Sequence, residues 1–250
     1  MRAPVTVVIP TLNEAAHIEG AVRHLWWASE VLVADGGSTD GTQTLARNAG
    51  ARVIDLPGLT IAGQRNAAIA ESRTDWVFAL DADERISPAL AAELGRLAVQ
   101  PGHEAYAVGR RNYYLGRLMR RGGWGDNWAV RFFRKDRRFV ERRVHEGLES
   151  VADTGRLVEP LEHTPYRDLS HHLKKIDLYA TWAAQDLRDR GRHARISDIL
   201  VRPPFNFWRT YILQLGILEG WHGAVLCGLG AVSVFLKYTR LWELERRTDA

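Results

Sequence analysis

The first hundred residues alternate short apolar runs with segments of helical pattern, and this alternation restricts the fold more than any other feature of the chain. The apolar runs predict strands over residues 5–9, 31–34, 52–56 and 76–80, each followed by a helix. Strands joined by helices of this length favour a mainly parallel sheet with helices on both faces. The sequence therefore predicts an α/β fold.

Polar residues directly follow three of the predicted strands, at 10–14, 35–41 and 81–84. Ligands bind at the carboxyl ends of the strands in such sheets, so three polar clusters on one rim predict a single binding site. In the same loops, Asn13 is expected to cap a helix that runs to about Trp27.

The second of these clusters is a tight, glycine-rich turn that begins at Asp35 and leads into a helix opened by Asp40. Its glycines permit close approach to the backbone, and the Asp35 carboxylate can accept hydrogen bonds from a base or from ribose hydroxyls. The alternative is plain turn chemistry with Asp40 as a helix cap.

The third cluster contains two carboxylates separated by one residue, Asp81 and Asp83. A turn at the end of the strand can aim both at one point. Paired carboxylates bind a hard cation such as Mg²⁺ or Mn²⁺, which neutralises a diphosphate leaving group. The alternative for so short a motif is a turn with a helix cap, and Glu84 is either a further partner of the pair or a surface residue.

Positive charge is concentrated in the middle of the chain. The net charge is only +4, but residues 110–143 hold twelve cations against three acidic residues, a local charge of +9. Such a segment attracts phosphates on a nucleotide, a nucleic acid or an anionic lipid, and the alternative is a solvated surface. Strands are predicted at 105–110 and 129–134, around a loop rich in glycine, tryptophan and arginine.

The C-terminal part is predicted to be helical over 168–200, with a break at 202–204, and then becomes apolar. Residues 220–236 contain no charged side chain, and aromatic and cationic residues flank them. Three interpretations remain open for 205–240: a buried helical hairpin, a segment in the membrane interface, or a span at the lower limit of length. A single cysteine excludes a disulfide framework, and the few apolar residues before Pro10 suggest no signal peptide, so we expect a cytoplasmic location.

Four blocks of the first hundred residues resemble family 2 glycosyltransferases. They are TVVIPTLNE at 6–14, VLVADGGSTDGT at 31–42, GQRNA at 63–67 and VFALDADE at 77–84. All four occur in the family's order. The resemblance implies a Rossmann-like GT-A fold that binds a nucleotide sugar and carries out metal-assisted, inverting glycosyl transfer.

The resemblance also implies roles for individual residues. Asp35 would contact the base, Arg65 would approach the nucleotide, and Asp83 would be the direct ligand of Mg²⁺ or Mn²⁺. The nucleotide-sugar-binding set implied in this way is Pro10, Thr11, Asn13, Glu14, Asp35, Arg65 and Asp81.

The second half is similar to the subgroup of bacterial lipopolysaccharide core β-1,4-glucosyltransferases. The matching residues are Gly123, Trp124, Asp126, RFFR at 131–134, VHE at 144–146, and a late Tyr211, Gly216, Glu219, Gly220 and Gly223. The subgroup has Asp-Gly where this chain has Glu219-Gly220. Inverting transfer needs a carboxylate that deprotonates the acceptor, and Glu146 is the first candidate and Asp126 the second. Either carboxylate would otherwise be a salt-bridge partner of the abundant arginines.

Two cationic side chains of the predicted strand at 129–134 are also candidates for ligand binding. Arg131 and Arg134 could hold the diphosphate or a phosphorylated acceptor, but strand alternation places them on opposite faces. His145 and His163 are candidates for the metal shell or for a phosphate contact, with a purely structural role as the alternative.

With this resemblance, the predicted domains are a GT-A catalytic domain, 1–165, and a helical, partly apolar extension, 166–250, for which membrane association is one interpretation. Residues 1–100 would bind the donor and 101–165 would face the acceptor. The implied activity transfers a sugar, with UDP-glucose as the best match, to a glycolipid such as lipopolysaccharide core at the inner face of the cytoplasmic membrane. The alternatives are transfer to polyprenyl phosphate and, in another class, a nucleic-acid or anionic-membrane binding module. No nucleic-acid partner is expected, because the basic residues lie among glycine and tryptophan rather than along one helix.

Overall fold

The computed structural model describes residues 2–125, 127–140 and 147–246. The chain divides into two compact units. Unit 1 comprises residues 1–110 and 127–163, and unit 2 comprises residues 111–126 and 164–250.

The amino-terminal part of unit 1 alternates strands and helices, as the apolar runs predict. Its strands are β1 (Ala3–Thr11), β2 (Ala28–Asp35), β3 (Arg52–Asp55) and β4 (Trp76–Ala79). Its helices are α1 (Ala15–Arg23), α2 (Thr42–Asn48), α3 (Ile61–Ala70) and α4 (Pro88–Val99).

The remaining strands are mostly short. They are β5 (Glu84–Arg85), β6 (Ala105–Tyr114), β7 (Arg117–Met119), β8 (Trp128–Arg134), β9 (Phe139–Val140), β10 (Gly147–Leu148), β11 (Thr154–Arg156) and β12 (Leu161–His163).

The central sheet has the strand order β3-β2-β1-β4-β8-β6-β12-β5. Pairing is parallel from β3 to β4, whereas β8 pairs antiparallel with both β4 and β6. The parallel pairing expected for the sheet thus holds for its first four strands, and the strands after residue 100 make it a mixed sheet. Strands β9 and β10 form a separate antiparallel pair.

Two apolar layers cover the sheet. Val7 and Ile9 of β1 point into a cluster with α1, α2 and α4, represented by Ile18 and Leu94. Val8, between them in sequence, points into the opposite cluster with α3. This alternation of β1 confirms the predicted α/β fold class, with helices on both faces of the sheet.

The helix starts follow the predicted caps only in part. The Ser87 side chain accepts a hydrogen bond from the Leu90 N–H and caps α4. Asn13 does not cap α1, which begins at Ala15 and ends at Arg23, before Trp27. The expectation was wrong because the Asn13 side-chain oxygen accepts the N–H of Thr39 in the neighbouring loop instead.

Unit 2 contains the hairpin formed by the end of β6 with β7, and four helices with two tight turns. The helices are α5 (Leu169–Asp189), α6 (Ile196–Leu200), α7 (Arg202–Trp208) and α8 (Gly220–Arg246). A π-helical turn (Arg209–Leu213) and a 3₁₀ turn (Gly216–Glu219) lie between α7 and α8. The boundary between α6 and α7 lies at Val201, one residue before the break predicted at 202–204, and those three residues begin α7.

Helix α8 packs along α5, and Asp177 of α5 forms an ion pair with Arg240 of α8. Residues 216–246 are long and apolar enough to cross a membrane, and only 22% of the most apolar window is buried. The contact between the start of α8 and the 3₁₀ turn is close, because a Cβ on Gly223 would lie 2.0 Å from the Gly216 carbonyl oxygen. Cys227 is buried beside these glycines, and a Cβ on Gly216 would lie 2.8 Å from its Sγ.

Candidate active site

Strands β1 and β2 of unit 1 place two polar side chains side by side at the carboxyl rim of the sheet. Thr11 and Asp35 are paired in the parallel register, and the Thr11 hydroxyl donates to the Asp35 carboxylate at 3.0 Å. Asp35 is fully buried. The rim expected from the strand-end clusters is therefore present, with Asp35 at its base.

The Asp35 carboxylate is surrounded by donors of the chain itself. The Oδ2 atom accepts the N–H groups of Gly37 and Ser38 and the side-chain amide of Gln43, and Oδ1 accepts the Ser38 hydroxyl. Burial raises the pKa of Asp35, but the hydrogen bonds from Ser38, Gln43 and Thr11 outweigh it and leave this pKa below its ordinary value. A contact of Asp35 with a base, as the resemblance implies, requires the exchange of one of these donors.

The loop after β1 is joined to the loop after β2 by a series of hydrogen bonds. The Asn13 N–H donates to the Ser38 hydroxyl at 2.8 Å, and the Glu14 N–H donates to the Thr42 hydroxyl at 2.9 Å. Asn13 has a positive φ of 58°, a conformation that asparagine tolerates better than most residues. Residues 10–14 are thereby held as one preformed edge of the rim.

A charge cluster lies at the end of β4; Glu84, Arg65 and Arg131 in it are buried, and the Asp81 side chain is 30% exposed. Three guanidinium groups surround Asp81: Arg65 at 2.5 Å, Arg131 at 2.8 Å and Arg110 at 3.5 Å. Burial raises the pKa of Asp81, and the charges of Arg131, Arg65 and Arg110 more than offset it, so its pKa lies far below the usual range. Asp81 therefore stays ionised and holds the three arginines together.

Glu84 is a further, buried member of this cluster and is not a surface residue. It is fully buried, accepts the Asp81 N–H at 2.9 Å and pairs with Arg110 at 2.8 Å. Burial holds the pKa of Glu84 above its ordinary value.

The second carboxylate of the motif has a different partner. The Oδ1 atom of Asp83 lies 3.6 Å from Nε2 of His163, which β12 places opposite Glu84 in an antiparallel pair with β5. Asp81 and Asp83 thus face different groups instead of one point. Within residues 2–125, 127–140 and 147–246, no three His, Cys, Asp or Glu side chains are grouped closely enough to hold a metal ion.

Asp83 and His163 are nevertheless suitable ligands for a hard cation that takes its other ligands from water and substrate. Mg²⁺ and similar ions are usually bound by one or two protein groups together with water and substrate phosphates. Asp83 offers a carboxylate oxygen and His163 an imidazole nitrogen, which Mn²⁺ also accepts. The diphosphate of a donor would supply the remaining oxygens.

The described strands on either side of residues 141–146 are held by contacts within unit 1. Strands β9 and β10, residues 139–140 and 147–148, pair with each other, and Asn66 of α3 binds the backbone of Phe139 through both its amide nitrogen and its amide oxygen. The Arg65 guanidinium lies over the Phe139 ring, 4.8 Å from its centroid. Glu146 itself, like Asp126 and His145, lies outside the described residues.

Some roles in this site were not predicted from the sequence. Arg131 was considered for the diphosphate but contacts Asp81, and Arg134 lies apart from it, 4.5 Å from the Trp76 ring centroid. The sequence places Arg110 in the basic segment and Asn66 in the GQRNA block, but it does not predict that Arg110 pairs with Asp81 and Glu84 or that Asn66 binds the backbone of Phe139. The sequence signal for Arg131 is an arginine inside the apolar run that forms β8, the strand paired with β4. Arg110, on β6, has no comparable signal.

Comparison with known proteins assigns the chain to a family. The profile described as glycosyl transferase family 2 matches residues 6–152, more than half of the chain. The chain belongs to glycosyl transferase family 2. It is therefore a glycosyltransferase, and the predicted family is confirmed alongside the α/β fold class that the structure shows.

Relatives in this family match nearly the whole chain. The lipopolysaccharide core biosynthesis glycosyltransferase LpsC of Rhizobium meliloti is 28% identical over 95% of this chain and 94% of its own length. An uncharacterised glycosyltransferase of Rickettsia bellii is 25% identical over 96% of this chain and 86% of its own. A crystal structure of glucosyl-3-phosphoglycerate synthase from Mycobacterium tuberculosis, with Mn²⁺, UDP and glucosyl-3-phosphoglycerate, is 26% identical with a TM-score of 0.37 and covers 44% of each chain.

Proposed function

We propose that this family 2 enzyme moves a sugar, with glucose from UDP-glucose as the best candidate, onto a membrane-bound glycolipid acceptor such as lipopolysaccharide core, with inversion at the anomeric carbon. The observation that carries the proposal is the corner formed by Asp81, Asp83 and His163 at the carboxyl rim of the sheet. The similarity to LpsC along almost its whole length supports the acceptor class.

The donor would lie along the rim formed by the loops after β1, β2 and β4. Pro10, Thr11, Asn13 and Glu14 would line the nucleotide pocket, with Asp35 toward the base. A divalent cation held by Asp83, with His163 beside it, would neutralise charge on the departing diphosphate.

The arginine cluster contributes positive charge at the same corner. Arg65, Arg110 and Arg131 carry three positive charges, and they pair with the partly exposed carboxylate of Asp81 and the buried carboxylate of Glu84. Because these groups are held rigidly by one another, they would orient Arg65 toward the diphosphate without reorganisation during the reaction.

Glu146 would act as the general base, with Asp126 as the second candidate. The base takes the proton of the acceptor hydroxyl, the acceptor oxygen bonds to the anomeric carbon, and the bond from that carbon to the diphosphate breaks. A single displacement of this kind inverts the anomeric centre. The anchoring of β9 by Asn66 would fix the position from which the segment with Glu146 starts.

The location that fits this activity is the inner face of the cytoplasmic membrane, with the protein bound peripherally. Nucleotide sugars would reach it from the cytoplasm, and the acceptor would be held in the bilayer. The exposed apolar surface of unit 2 supports this placement.

The donor site is tested by thermal shift with a panel of nucleotide sugars, with and without Mn²⁺. A ligand at about 100 times its dissociation constant adds about 2.7 kcal/mol of stability, which raises the Tm measurably. We expect a Mn²⁺-dependent shift with one UDP-sugar that Asp83→Ala abolishes. The matched control is Asp75→Ala, an exposed aspartate paired with Lys135, which should keep the shift. The absence of any shift, or an equal loss in both variants, would contradict the donor site.

The base is tested by single-turnover rates of Glu146→Gln and Asp126→Asn with donor and acceptor at saturation. Loss of a general base lowers the rate by about 10²–10⁴-fold, and we expect this for Glu146→Gln. A rate near that of the wild type for both variants would favour polyprenyl phosphate as the acceptor, because a phosphate oxygen needs little help from a base.

A further inference from the structure

The two turns before α8 in unit 2 present an unusually apolar surface. Residues 209–213 and 216–219 form a hairpin-like tip, and α8 begins directly after it. We call its exposed side chains the apolar tip; they are Ile212, Leu213, Leu215, Ile217, Leu218 and Trp221. Contiguous exposed apolar groups of this kind mark an interaction site rather than an ordinary surface.

Two turns of unit 2 have a leucine at a backbone position that does not favour leucine. Leu215 has a φ of 58° and is 47% exposed, and it precedes Gly216. The same arrangement occurs at the β6–β7 turn of unit 2, where Leu115 has a φ of 48°, is 40% exposed and precedes Gly116. A left-handed conformation costs a leucine about 1 kcal/mol or more, and asparagine or glycine is the usual residue there. Two exposed leucines are thus kept at turn positions where they destabilise the fold.

Positive charge surrounds the two leucine turns. Residues 111–125 contain four arginines and no acidic residue, and Arg117, Arg120 and Arg121 are exposed. The acidic residue of the tip, Glu219, is buried, accepts the Arg120 N–H at 3.0 Å and lies 3.7 Å from Arg117. The charge presented to solvent beside the apolar tip is therefore positive.

These observations point to one partner, the surface of an anionic bilayer. Anionic headgroups complement the arginines, and the interface accepts leucine and tryptophan side chains. A second copy of this chain would bring the same arginines into opposition, which disfavours a symmetric dimer through this face. A span by α8 is disfavoured because α8 packs along the charged helix α5 and forms the Asp177–Arg240 ion pair.

We propose that the apolar tip and Leu115 insert into the headgroup layer of an anionic membrane, with Arg117, Arg120 and Arg121 on lipid phosphates. This deepens the proposed function and rests on it only for the idea that the acceptor is membrane-bound. The Gly122 N–H donates to the Gln214 carbonyl at 2.8 Å, so the inserted tip also supports the Gly-Trp-Gly loop at 123–125. Membrane contact thereby fixes the position of a loop that precedes the second base candidate, Asp126.

The experiment is flotation of the full chain with vesicles of phosphatidylglycerol and phosphatidylcholine, and with vesicles of phosphatidylcholine alone. We expect binding to the anionic vesicles only, weakened by high salt. Trp221→Glu should lower the partition coefficient by about tenfold or more. Its matched control is Trp26→Glu in unit 1, since the two tryptophans are 85% and 75% exposed, and the control should leave binding unchanged. Equal losses in both variants, or equal binding to both vesicle types, would overturn the proposal.

A second pair of variants separates membrane insertion from a purely structural role. Leu115→Asn and Leu215→Asn place a residue suited to positive φ at each turn, so the Tm should stay the same or rise. Binding to anionic vesicles should nevertheless fall. A wild-type-like bound fraction would refute the proposal, as would a dimer in solution that Trp221→Glu converts to a monomer. The donor thermal shift is read without vesicles, so failure here is distinguishable from failure of the proposed function.

Discussion

Unit 1 buries charged side chains, whereas unit 2 exposes apolar ones. Without compensating partners, either arrangement raises the free energy of the folded state. In unit 1 the cost is offset within the chain, because the buried carboxylate of Glu84 and the buried guanidinium of Arg131 have partners of opposite charge. In unit 2 the cost of the apolar tip is not offset by the described chain. Unit 1 therefore carries a preformed polar site, whereas unit 2 carries a surface whose partner lies outside the protein.

The largest effect on stability is expected where the compensation of unit 1 is broken. Arg131→Met removes a buried cation and leaves Asp81 and Glu84 under-compensated, which should destabilise the fold by about 3–5 kcal/mol. Urea denaturation at neutral pH measures this change. The control is Arg134→Met on the same strand, which loses a contact with the Trp76 ring and should cost about 1 kcal/mol or less. Equal costs for the two variants would mean that the cluster does not depend on charge compensation.

A smaller effect is expected from the buried histidine of unit 2. His172 stacks on Tyr166 at 3.7 Å and accepts or donates a hydrogen bond at the Tyr114 hydroxyl. Burial, His171 and Lys175 lower the pKa of His172 to about 4. Because the folded pKa lies below the unfolded value of about 6.5, the folded state favours neutral imidazole. Stability should therefore be full above pH 6.5 and fall by about 3 kcal/mol as the pH drops toward 4.

The measurement is the free energy of unfolding between pH 7 and pH 4 for wild type and His172→Gln. The glutamine keeps a hydrogen-bonding group but does not titrate, so its pH dependence should be flatter. A slope unchanged in His172→Gln would show that other groups set the acid sensitivity.

The smallest effect compares helix caps in the two units. Ser87 caps α4 in unit 1, and Asp168 caps α5 in unit 2 by accepting the His171 N–H at 2.7 Å. Ser87→Ala and Asp168→Ala should each cost about 1 kcal/mol in the free energy of unfolding. Thermal denaturation of the two variants checks this, with Ser87→Asn and Asp168→Asn as replacements that retain a cap. Failure of the asparagine variants to restore stability would show that capping is not the cause.

The sequence predicts the first four strands and their helices because each is an uninterrupted apolar or amphipathic run. It does not predict β5, β10 or β12, since strands of two or three residues carry no periodic signal. The sequence also predicts the strands β6 and β8 without indicating that they pair antiparallel.

The candidate site likewise has features that the sequence predicts and features that it does not. The strand-end clusters correctly predict the rim, because topology alone brings strand ends together. The sequence does not reveal that Asp81 faces three arginines, which come from α3, β6 and β8 at distant positions in the chain. Nor does it reveal that Asp35 is saturated by donors. Three of them come from the turn at Gly37 and Ser38, and the other two come from Thr11 of β1 and Gln43 of α2. The roles assigned to Glu146 and Asp126 stay predictions.

The buried position of Cys227 gives the native chain a reporter of its own. It is the sole cysteine, and its sulfur lies in the close contact between Gly216 and the start of α8. A thiol reagent can reach it only when that contact opens, so the rate of alkylation measures the free energy of local opening behind the apolar tip. If vesicles bind the apolar tip and stabilise this contact, alkylation of Cys227 should become slower. The alkylation rate would then report membrane binding without an added label.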